Sequence, residues 1–558
     1  MVKKFDWKVF ATEHFDIYYY KESEPWVKYS ASVLERAYKE IGADLNPSLE
    51  KRFPFFLYAS LNDMEQTAIA YVSDGIGGLT EPFKDRVLVW SDGSKEWLED
   101  LIFHEFTHEV QFSVLIDGFW KSARILKTFI YPLWMMEGMA EYETGNRDIA
   151  MEEMYMRDAV LDDRVINLFH LHNFAHLKPH QTTMAYKESA QAVRFLAEQY
   201  GRDKPRQMLK LYRTRYDINS VLKILVGLDL FAFDRKFREY YKYKYFFQTE
   251  EEKLSEPGLY GVPLTRTTEN IPEFNTSGHE SRNGIFACIS TREGHPPQIL
   301  IRDKNGGEEI LDAVSMGIEN IPYGRFTKIL RSLSVSPDGN FIAFSGQKNH
   351  RENIYVYDLK KKKLLSFGVN GLAEMRQPSF SPDGKKLVFV GMKNGINDLY
   401  EMKVGPENFG RDMSLKDIRQ ITSSKEDESS PVYSPDGKQI FYSCEIEKNG
   451  KTERDICLAS DSGAKKRVIE LPGNQYDPAV SPDSKRIVFV NDADGIFELY
   501  EKDMKNGRVY RLTRSRGGVF SPYFSADGKS VYFSAFRHGS VNVYRADVKN
   551  FLYEAANE

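Results

Sequence analysis

The sequence predicts a two-domain protein in which a mixed α+β domain is followed by an all-β propeller of six blades. The chain has 558 residues, whereas a single hydrophobic core stops growing near about 250 to 300 residues. The pattern of apolar residues also changes near residue 250, from helical spacing to a repeat of short strands. We therefore expect a first domain over residues 1–250, a linker over residues 251–260 and a propeller over residues 261–558.

The first domain is predicted to mix helices with strands. Apolar residues at three- and four-residue spacing indicate helices at 27–41, 95–112, 135–142, 184–200 and 204–216. Shorter apolar runs indicate strands at 14–20, 53–59 and 86–90. This mixture is typical of an α+β domain.

An internal repeat determines the fold predicted for the second domain. The tetrapeptide Ser-Pro-Asp-Gly, or a close variant, begins at residues 336, 381, 434, 481 and 525. Asp-Gly supplies a tight turn between two strands, and each unit then adds an alternating strand. Four strands per unit make a propeller blade. A degenerate unit at Ser281-Arg-Asn-Gly284 precedes the first clear one, so six blades are expected.

The propeller is predicted to close through a strand from its own N-terminal side. Blades end in a strand such as residues 419–422 or 510–513, and residues 262–265 have this form before the first blade begins. The final blade has no clear equivalent after residue 544. We therefore expect Val262 to Thr265 to pair with the final blade, because this pairing removes an open sheet edge.

The composition argues against two classes of partner. The 76 basic and 81 acidic residues give a formal charge of −5, so nucleic acid is not expected as a partner. No uncharged apolar run reaches the roughly 18 to 20 residues of a membrane span, and the most apolar stretch, 112–136, contains four charged residues. We expect no transmembrane segment, and the N-terminus shows no secretory signal. The three cysteines allow at most one disulfide.

A zinc site is predicted from the segment His104-Glu-Phe-Thr-His108. Histidines four residues apart share one helix face and can chelate one Zn²⁺ ion. Glu105 lies beside them and can accept a proton from a water molecule that the metal activates. The sequence therefore predicts His104 and His108 as ligands and Glu105 as the general base.

The third ligand is predicted in the segment Trp134-Met-Met-Glu137-Gly-Met-Ala-Glu141-Tyr142. A catalytic zinc takes three protein ligands and keeps one open position, so a carboxylate is required from another segment. We assign Glu137 as that ligand and Glu141, one helical turn further, as a carboxylate that orients a ligating imidazole. The reverse assignment, with Glu141 as the ligand, remains open.

These motifs resemble those of the gluzincin metallopeptidases, the peptidase MA-like group that includes aminopeptidase N and thermolysin. In that group the third ligand is the Glu of a W-x-x-E-G-x-A-x-Y segment, which implies Glu137 here. The resemblance also implies that Tyr186 stabilises the oxyanion; the alternative is a tyrosine that only packs at a helix start. The 28 residues between His108 and Glu137 exceed the family's spacing, so we expect an altered cleft wall.

The segment around Gly77 and Gly78 stands where that group has an edge strand that pairs with substrate backbone, so these glycines are assigned to substrate binding. The family's Gly-x-Met-Glu-Asn pattern, whose Glu grips a free amine, is absent because Thr80 occupies the matching position and Glu81 comes one residue late. This departure favours endopeptidase action. The four histidines between His170 and His180 are interpreted as a polar loop, with a cleft-lining or second-metal role as the alternative.

The repeat over residues 261–558 resembles TolB-type six-bladed propellers. Together the two resemblances imply a zinc-dependent endopeptidase whose propeller binds or gates a polypeptide substrate or a protein partner. Two alternatives stay open: a non-catalytic binding or assembly protein with a scaffold peptidase domain, and a zinc hydrolase of a non-peptide substrate. The resemblance implies export to the periplasm or cell surface, with a cytoplasmic location as the alternative.

Overall fold

The computed structural model divides into two compact units. One comprises residues 1–92 and 96–251, and the other comprises residues 93–95 and 252–558; we call them the N-terminal unit and the propeller unit. The structure describes residues 4–45, 52–67, 77–81, 86–115, 131–145, 149–266, 271–322, 324–325, 328–329, 331–349, 351–405, 412–448, 450–460 and 465–556.

A five-stranded sheet forms one layer of the N-terminal unit. Its strands are β1 (Lys8–Ala11), β2 (Phe15–Tyr19), β3 (Phe53–Tyr58), β4 (Gly78–Glu81) and β5 (Arg86–Trp90). Their order across the sheet is β1-β2-β3-β5-β4. The three central strands run parallel, whereas β1 and β4 pair antiparallel with their neighbours. Strand β4 is therefore an edge of the sheet that the described strands form.

Nine α-helices lie in the described part of the N-terminal unit. They are α1 (Val27–Leu45), α2 (Leu61–Glu65), α3 (Lys95–Leu115), α4 (Leu133–Glu143), α5 (Ile149–Leu161), α6 (Pro179–Tyr200), α7 (Lys204–Arg215), α8 (Ile218–Val226) and α9 (Leu230–Glu251). The five predicted helices are all present. The helix predicted from residue 184 begins at Pro179, because proline is well suited to the first helical turn.

Helices α4 and α6 approach each other closely at one glycine. A Cβ atom on Gly138 would lie 2.3 Å from the backbone carbonyl oxygen of Ser189. Only a residue without a side chain allows the two backbones this approach. The contact fixes α4, which carries Glu137 and Glu141, against α6, which carries Tyr186.

The propeller unit contains six blades, as predicted from the repeat. Blade 1 comprises Asn275–Glu280, Phe286–Ser290, Gln298–Arg302 and Glu308–Leu311. Blade 2 comprises Leu333–Val335, Phe341–Lys348, Arg351–Asp358 and Lys363–Asn370, joined by Asp412–Ser414. Blade 3 comprises Glu374–Phe380, Lys386–Lys393, Ile396–Lys403 and Arg419–Gln420.

The remaining blades follow the same plan. Blade 4 comprises Glu428–Tyr433, Gln439–Lys448, Lys451–Ser460 and Lys465–Ile469. Blade 5 comprises Gln475–Val480, Arg486–Asn491, Glu498–Asp503 and Val509–Arg511, joined by Glu554–Ala555. Blade 6 comprises Gly518–Phe524, Ser530–Arg537 and Ser540–Asp547, and its outer strand is Val262–Pro263.

The predicted closure of the propeller is confirmed. Val262 pairs with Arg545 and Pro263 pairs with Tyr544 in antiparallel register. The backbone N–H of Leu264 then donates to the carbonyl of Val543 over 2.7 Å. Blade 6 is thus completed by a segment that precedes blade 1 in the sequence.

The innermost strands of five blades contain a bulge that the sequence pattern did not predict. Each has a residue in the left-handed region, with φ between 49° and 59°, four positions before the serine of its turn; these are Ser277, Gln377, Ser430, Asp477 and Ser521. Their polar groups join neighbouring blades, since the N–H of Ser430 donates to Gln377 over 2.9 Å and the N–H of Ser521 donates to Asp477 over 3.1 Å. The bulges therefore connect blades around the propeller axis.

Two further features bear on the sequence expectations. Cys444 and Cys457 form a disulfide between adjacent strands of blade 4, and Cys288 is a buried free thiol. Among the helices that the structure describes, none is both long enough and apolar enough to cross a membrane. Residues 116–130, most of the stretch 112–136, lie outside the described residues.

Candidate metal centre

Helix α3 places His104 and His108 on one face, one turn apart. Their Nε2 atoms lie 3.3 Å from each other, and the two rings meet edge to face. The surrounding helix is deeply buried by apolar side chains such as Leu98, Ile102 and Phe106. Burial of this kind holds the imidazoles in a fixed position, as a metal site requires.

Helix α4 brings Glu137 to the same point. Its Oε2 atom lies 3.4 Å from Nε2 of His104 and 3.3 Å from Nε2 of His108. Two imidazole nitrogens and one carboxylate oxygen thus converge within the reach of a single ion. This donor set is suited to a divalent metal such as zinc and leaves room for a further ligand.

The opposite nitrogen of each imidazole has its own partner. Nδ1 of His104 lies 3.2 Å from Oε1 of Glu141, whose other oxygen accepts a hydrogen bond from the buried Lys187 over 3.0 Å. Nδ1 of His108 lies 2.9 Å from Oε1 of Gln111, and Gln111 donates to the carbonyl of Met136. These contacts orient both Nε2 atoms toward Glu137, which is the arrangement that metal-ligating histidines commonly have.

The electrostatics of the cluster follow from its proximity and burial. Burial opposes the charged form of His104, but the hydrogen bonds and charges of Glu137 and Glu141 outweigh it and raise its pKa to about 10. Burial likewise opposes ionisation of Glu141, but Lys187 and His104 lower its pKa to about 2. The same competition lowers the pKa of Glu137. The cluster thus stabilises a positive charge beside Glu137, the position where a metal cation would replace protons.

Glu105 faces the edge strand β4. The hydroxyl of Thr80 lies 2.6 Å from Oε2 of Glu105 and 3.0 Å from its backbone carbonyl oxygen. A Cβ atom on Gly78 would lie 2.6 Å from Cγ of Glu105, whereas one on Gly77 would meet Leu101 at 2.7 Å. Gly78 therefore borders the predicted base directly, and Gly77 packs against the body of α3.

Tyr186 lies on α6, half-buried, with its ring 5.4 Å from that of Phe174. The negative charge of Glu137, followed by burial, raises the pKa of the Tyr186 hydroxyl well above its usual value. The hydroxyl therefore keeps its proton, and it lies close enough to Glu137 for the charge of that carboxylate to affect its pKa. A tyrosine in this state can donate a hydrogen bond to a developing negative charge.

None of the histidines from His170 to His180 belongs to a set of three described side chains that could share an ion. Among the described residues, the sets of three side chains able to share an ion are His104 with His108 and Glu137, and Glu13 with His14 and Glu35. The second set includes the strongly exposed Glu13. The predicted polar loop includes a short 3₁₀ turn, His170–His172.

Three residues of the centre were not assigned from the sequence. Gln111 lies three positions after His108, and this helical spacing could have indicated a partner for its imidazole. Lys187 follows Tyr186, but its burial against Glu141 depends on how α4 and α6 pack. Thr80 was noted only as a departure from a family motif. Its contact with Glu105 could not be predicted, because it depends on where β4 lies against α3.

Two family models match this chain, one over part of each unit. Residues 33–243 match the family model of the Peptidase MA superfamily, and residues 412–554 match that of the TolB beta propeller domain. The chain therefore combines a Peptidase MA superfamily domain with a six-bladed β-propeller. The resemblances inferred from the motifs are confirmed at this level, and the roles of individual site residues stay predictions.

Three solved structures are each similar to about half of this chain. TolB from Acinetobacter baumannii is 24% identical over 45% of this chain, which covers 60% of that protein, with a TM-score of 0.33. A putative TolB from Agrobacterium tumefaciens is 18% identical over 50% of this chain and 91% of its own, with a TM-score of 0.35. The propeller domain of the Trilobed protease from Pyrococcus furiosus is 19% identical over 51% of this chain and 86% of its own, with a TM-score of 0.33. A comparison with curated proteins gave no match.

Proposed function

We propose that the protein is a zinc-dependent endopeptidase that cleaves polypeptides in the N-terminal unit. The convergence of His104, His108 and Glu137 beside a buried glutamate, Glu105, carries this proposal. The match to the Peptidase MA superfamily supports the reaction class. When bound by these three side chains, zinc supplies Lewis acidity, which polarises a carbonyl and makes water a stronger acid.

Side chains of the protein perform the proton transfer and stabilise the oxyanion. Glu105 accepts the proton of the attacking water and passes it to the leaving amine. Tyr186 donates a hydrogen bond to the oxyanion that develops on the former carbonyl. Strand β4 offers its outer edge to an extended substrate, which would pair as an additional strand. We assign endopeptidase action because the family's amine-gripping glutamate motif is absent.

The propeller is proposed to bind or gate the polypeptide. At the end of the propeller that carries the Ser-Pro-Asp turns, residues of all six blades line a cavity of about 230 Å³. Four turn prolines form part of its wall; these are Pro337, Pro382, Pro435 and Pro482. A cavity of this size supports access for a side chain or an extended segment rather than a folded domain.

The Glu105→Gln variant tests the catalytic proposal. Glutamine has the same size but cannot accept the proton, so zinc should remain bound while turnover falls by at least about 10² to 10⁴. Cleavage of casein and of an internally quenched peptide is measured with zinc quantified in each sample, with and without a chelator. Glu96→Gln, on the same helix, is the matched control and should cleave at the wild-type rate.

Two results would contradict the proposal. Near wild-type turnover by zinc-loaded Glu105→Gln would exclude the assigned general base and point to a contaminating activity. A zinc-loaded wild type that cleaves neither casein nor the peptide would favour the non-catalytic scaffold or a non-peptide substrate.

A further inference from the structure

We propose that Thr80 is a positioning residue that holds the Glu105 carboxylate in its productive orientation, so that edge strand β4 arranges the general base. This inference rests on the proposed peptidase function. It concerns a residue that the sequence marked only as a departure from a family motif.

The hydrogen bond between these residues is short and direct. The Thr80 hydroxyl has one proton and two acceptors within reach, Oε2 of Glu105 at 2.6 Å and the Glu105 carbonyl oxygen at 3.0 Å. The shorter contact goes to the carboxylate, and a hydrogen bond to a charged acceptor is the stronger kind. Thr80 therefore constrains one of the two oxygens of the base.

A second contact from the same strand confines the carboxylate further. Alternate residues of a strand share a face, so Gly78 and Thr80 both face Glu105 while Leu79 does not. A Cβ atom on Gly78 would lie 2.8 Å from Oε1 of Glu105 and 2.9 Å from Cδ. The carboxylate is thus held by the hydroxyl of Thr80 and has no space to move toward Gly78.

This arrangement matters because a glutamate side chain otherwise samples many rotamers. Fixing such a chain removes conformational freedom that would have to be lost again in each catalytic cycle. The side chain of Glu105 is almost fully buried, so the base is positioned before substrate arrives. Because β4 is the strand on which substrate is proposed to add, substrate binding and base orientation depend on one element.

The test compares three substitutions of Thr80 with a matched control. Thr80→Val and Thr80→Ala remove the hydroxyl, the first with nearly unchanged shape and the second without added bulk, and Thr80→Ser keeps it. Thr67→Val is the control, because it removes a hydroxyl that donates to Tyr58 over 2.7 Å, away from Glu105. Steady-state cleavage of a quenched peptide, zinc content and the crystal structure of each variant are determined.

The expected result separates positioning from stability. Thr80→Val and Thr80→Ala should lower kcat by about tenfold to a hundredfold, as expected for losing one hydrogen bond to a charged group. KM, zinc content and melting temperature should stay close to wild type, and the Glu105 carboxylate should leave its position beside β4. Thr80→Ser should restore most of kcat, and Thr67→Val should match wild type.

The inference is overturned if Thr80→Val keeps the wild-type kcat, or if Thr80→Ser is as impaired as Thr80→Val. An unmoved Glu105 carboxylate in the Thr80→Val structure would overturn it as well. Failure of the proposed function gives a different result, since either the zinc-loaded wild type would cleave nothing or Glu105→Gln would remain active. An inactive Glu105→Gln together with a fully active Thr80→Val refutes the role of Thr80 alone.

Discussion

The three acidic residues at 137, 141 and 143 of helix α4 differ in what each carboxylate faces. Glu137 faces both Nε2 atoms, and Glu141 faces Nδ1 of His104. Glu143 contacts neither imidazole in this way; burial and the charge of Asp44 raise its pKa to about 8. We therefore expect Glu137→Gln to lose bound zinc almost completely and Glu141→Gln to weaken affinity by about 10- to 100-fold. Zinc per protein after dialysis, and titration with a competing chelator, measure both effects.

Glu143→Gln is the control on the same helix and should keep wild-type zinc affinity. Loss of the metal in Glu141→Gln with retention in Glu137→Gln would reverse the assignment of the ligand. The sequence motifs predicted both carboxylates, but one helical turn separates them and either could have been the ligand. The direction of each carboxylate depends on the approach of α6, which delivers Lys187 to Glu141.

At the scale of elements, the contact between α4 and α6 should be sensitive to a single methyl group. Gly138→Ala would place a Cβ atom 2.3 Å from the carbonyl oxygen of Ser189, and relief of this overlap requires the helices to separate. We expect a loss of about 1 to 3 kcal/mol in the free energy of unfolding of the N-terminal unit. Urea unfolding followed by the fluorescence of the buried Trp134 measures the change.

Gly42→Ala in α1 is the matched control, because nothing lies within 4 Å of the added atom. This substitution should stabilise the protein by roughly 0.5 to 1 kcal/mol through the helix propensity of alanine. Equal destabilisation by both substitutions would show that the close approach at Gly138 is not the cause.

Five helices with clear periodicity were predicted from the sequence, whereas four of the nine described helices, α2, α5, α8 and α9, were not. Helix α5 buries Glu152, Arg157 and Asp158 together with its apolar residues, so it has no polar stripe to reveal its period. Helix α9 is rich in aromatic residues, several of which are exposed. The bulges of the inner propeller strands were missed because residues other than glycine seldom adopt the left-handed region, so serine and glutamine at these positions give no signal for it.

At the scale of the whole molecule, Thr265, just after the strand Val262–Pro263, contacts the strand Ser540–Asp547 of blade 6. Its hydroxyl accepts from the N–H of Val543 over 2.9 Å and lies 3.0 Å from Oδ1 of Asn542. Thr265→Val leaves a buried N–H without this acceptor, which should cost about 1 to 3 kcal/mol. A lower urea midpoint for the propeller transition is expected, while Thr452→Val in the hairpin of blade 4 should leave the midpoint unchanged.

An unchanged midpoint in Thr265→Val would mean that strand pairing alone, without this side chain, secures the closure. The sequence predicted the closing segment from its likeness to other blade-ending strands. The side-chain contact could not be predicted, because it joins residues 278 positions apart and depends on the register of the pairing.

Because Thr265 and Val543 are 278 positions apart, the two paired segments of blade 6 are synthesised at different times. A ribosome adds about 5 to 20 residues per second, so the strand at Thr265 emerges roughly 14 to 56 s before its partner at Val543 exists. The N-terminal unit, which ends at residue 251, can fold during this interval. Until blade 6 is made, the backbone N–H and C=O groups of Val262 and Pro263 lack their partners on that blade. Each completed blade likewise exposes one side until the next blade has formed. The open strand edges of the incomplete propeller therefore stay exposed to pairing with another chain until the strand Ser540–Asp547 has been made.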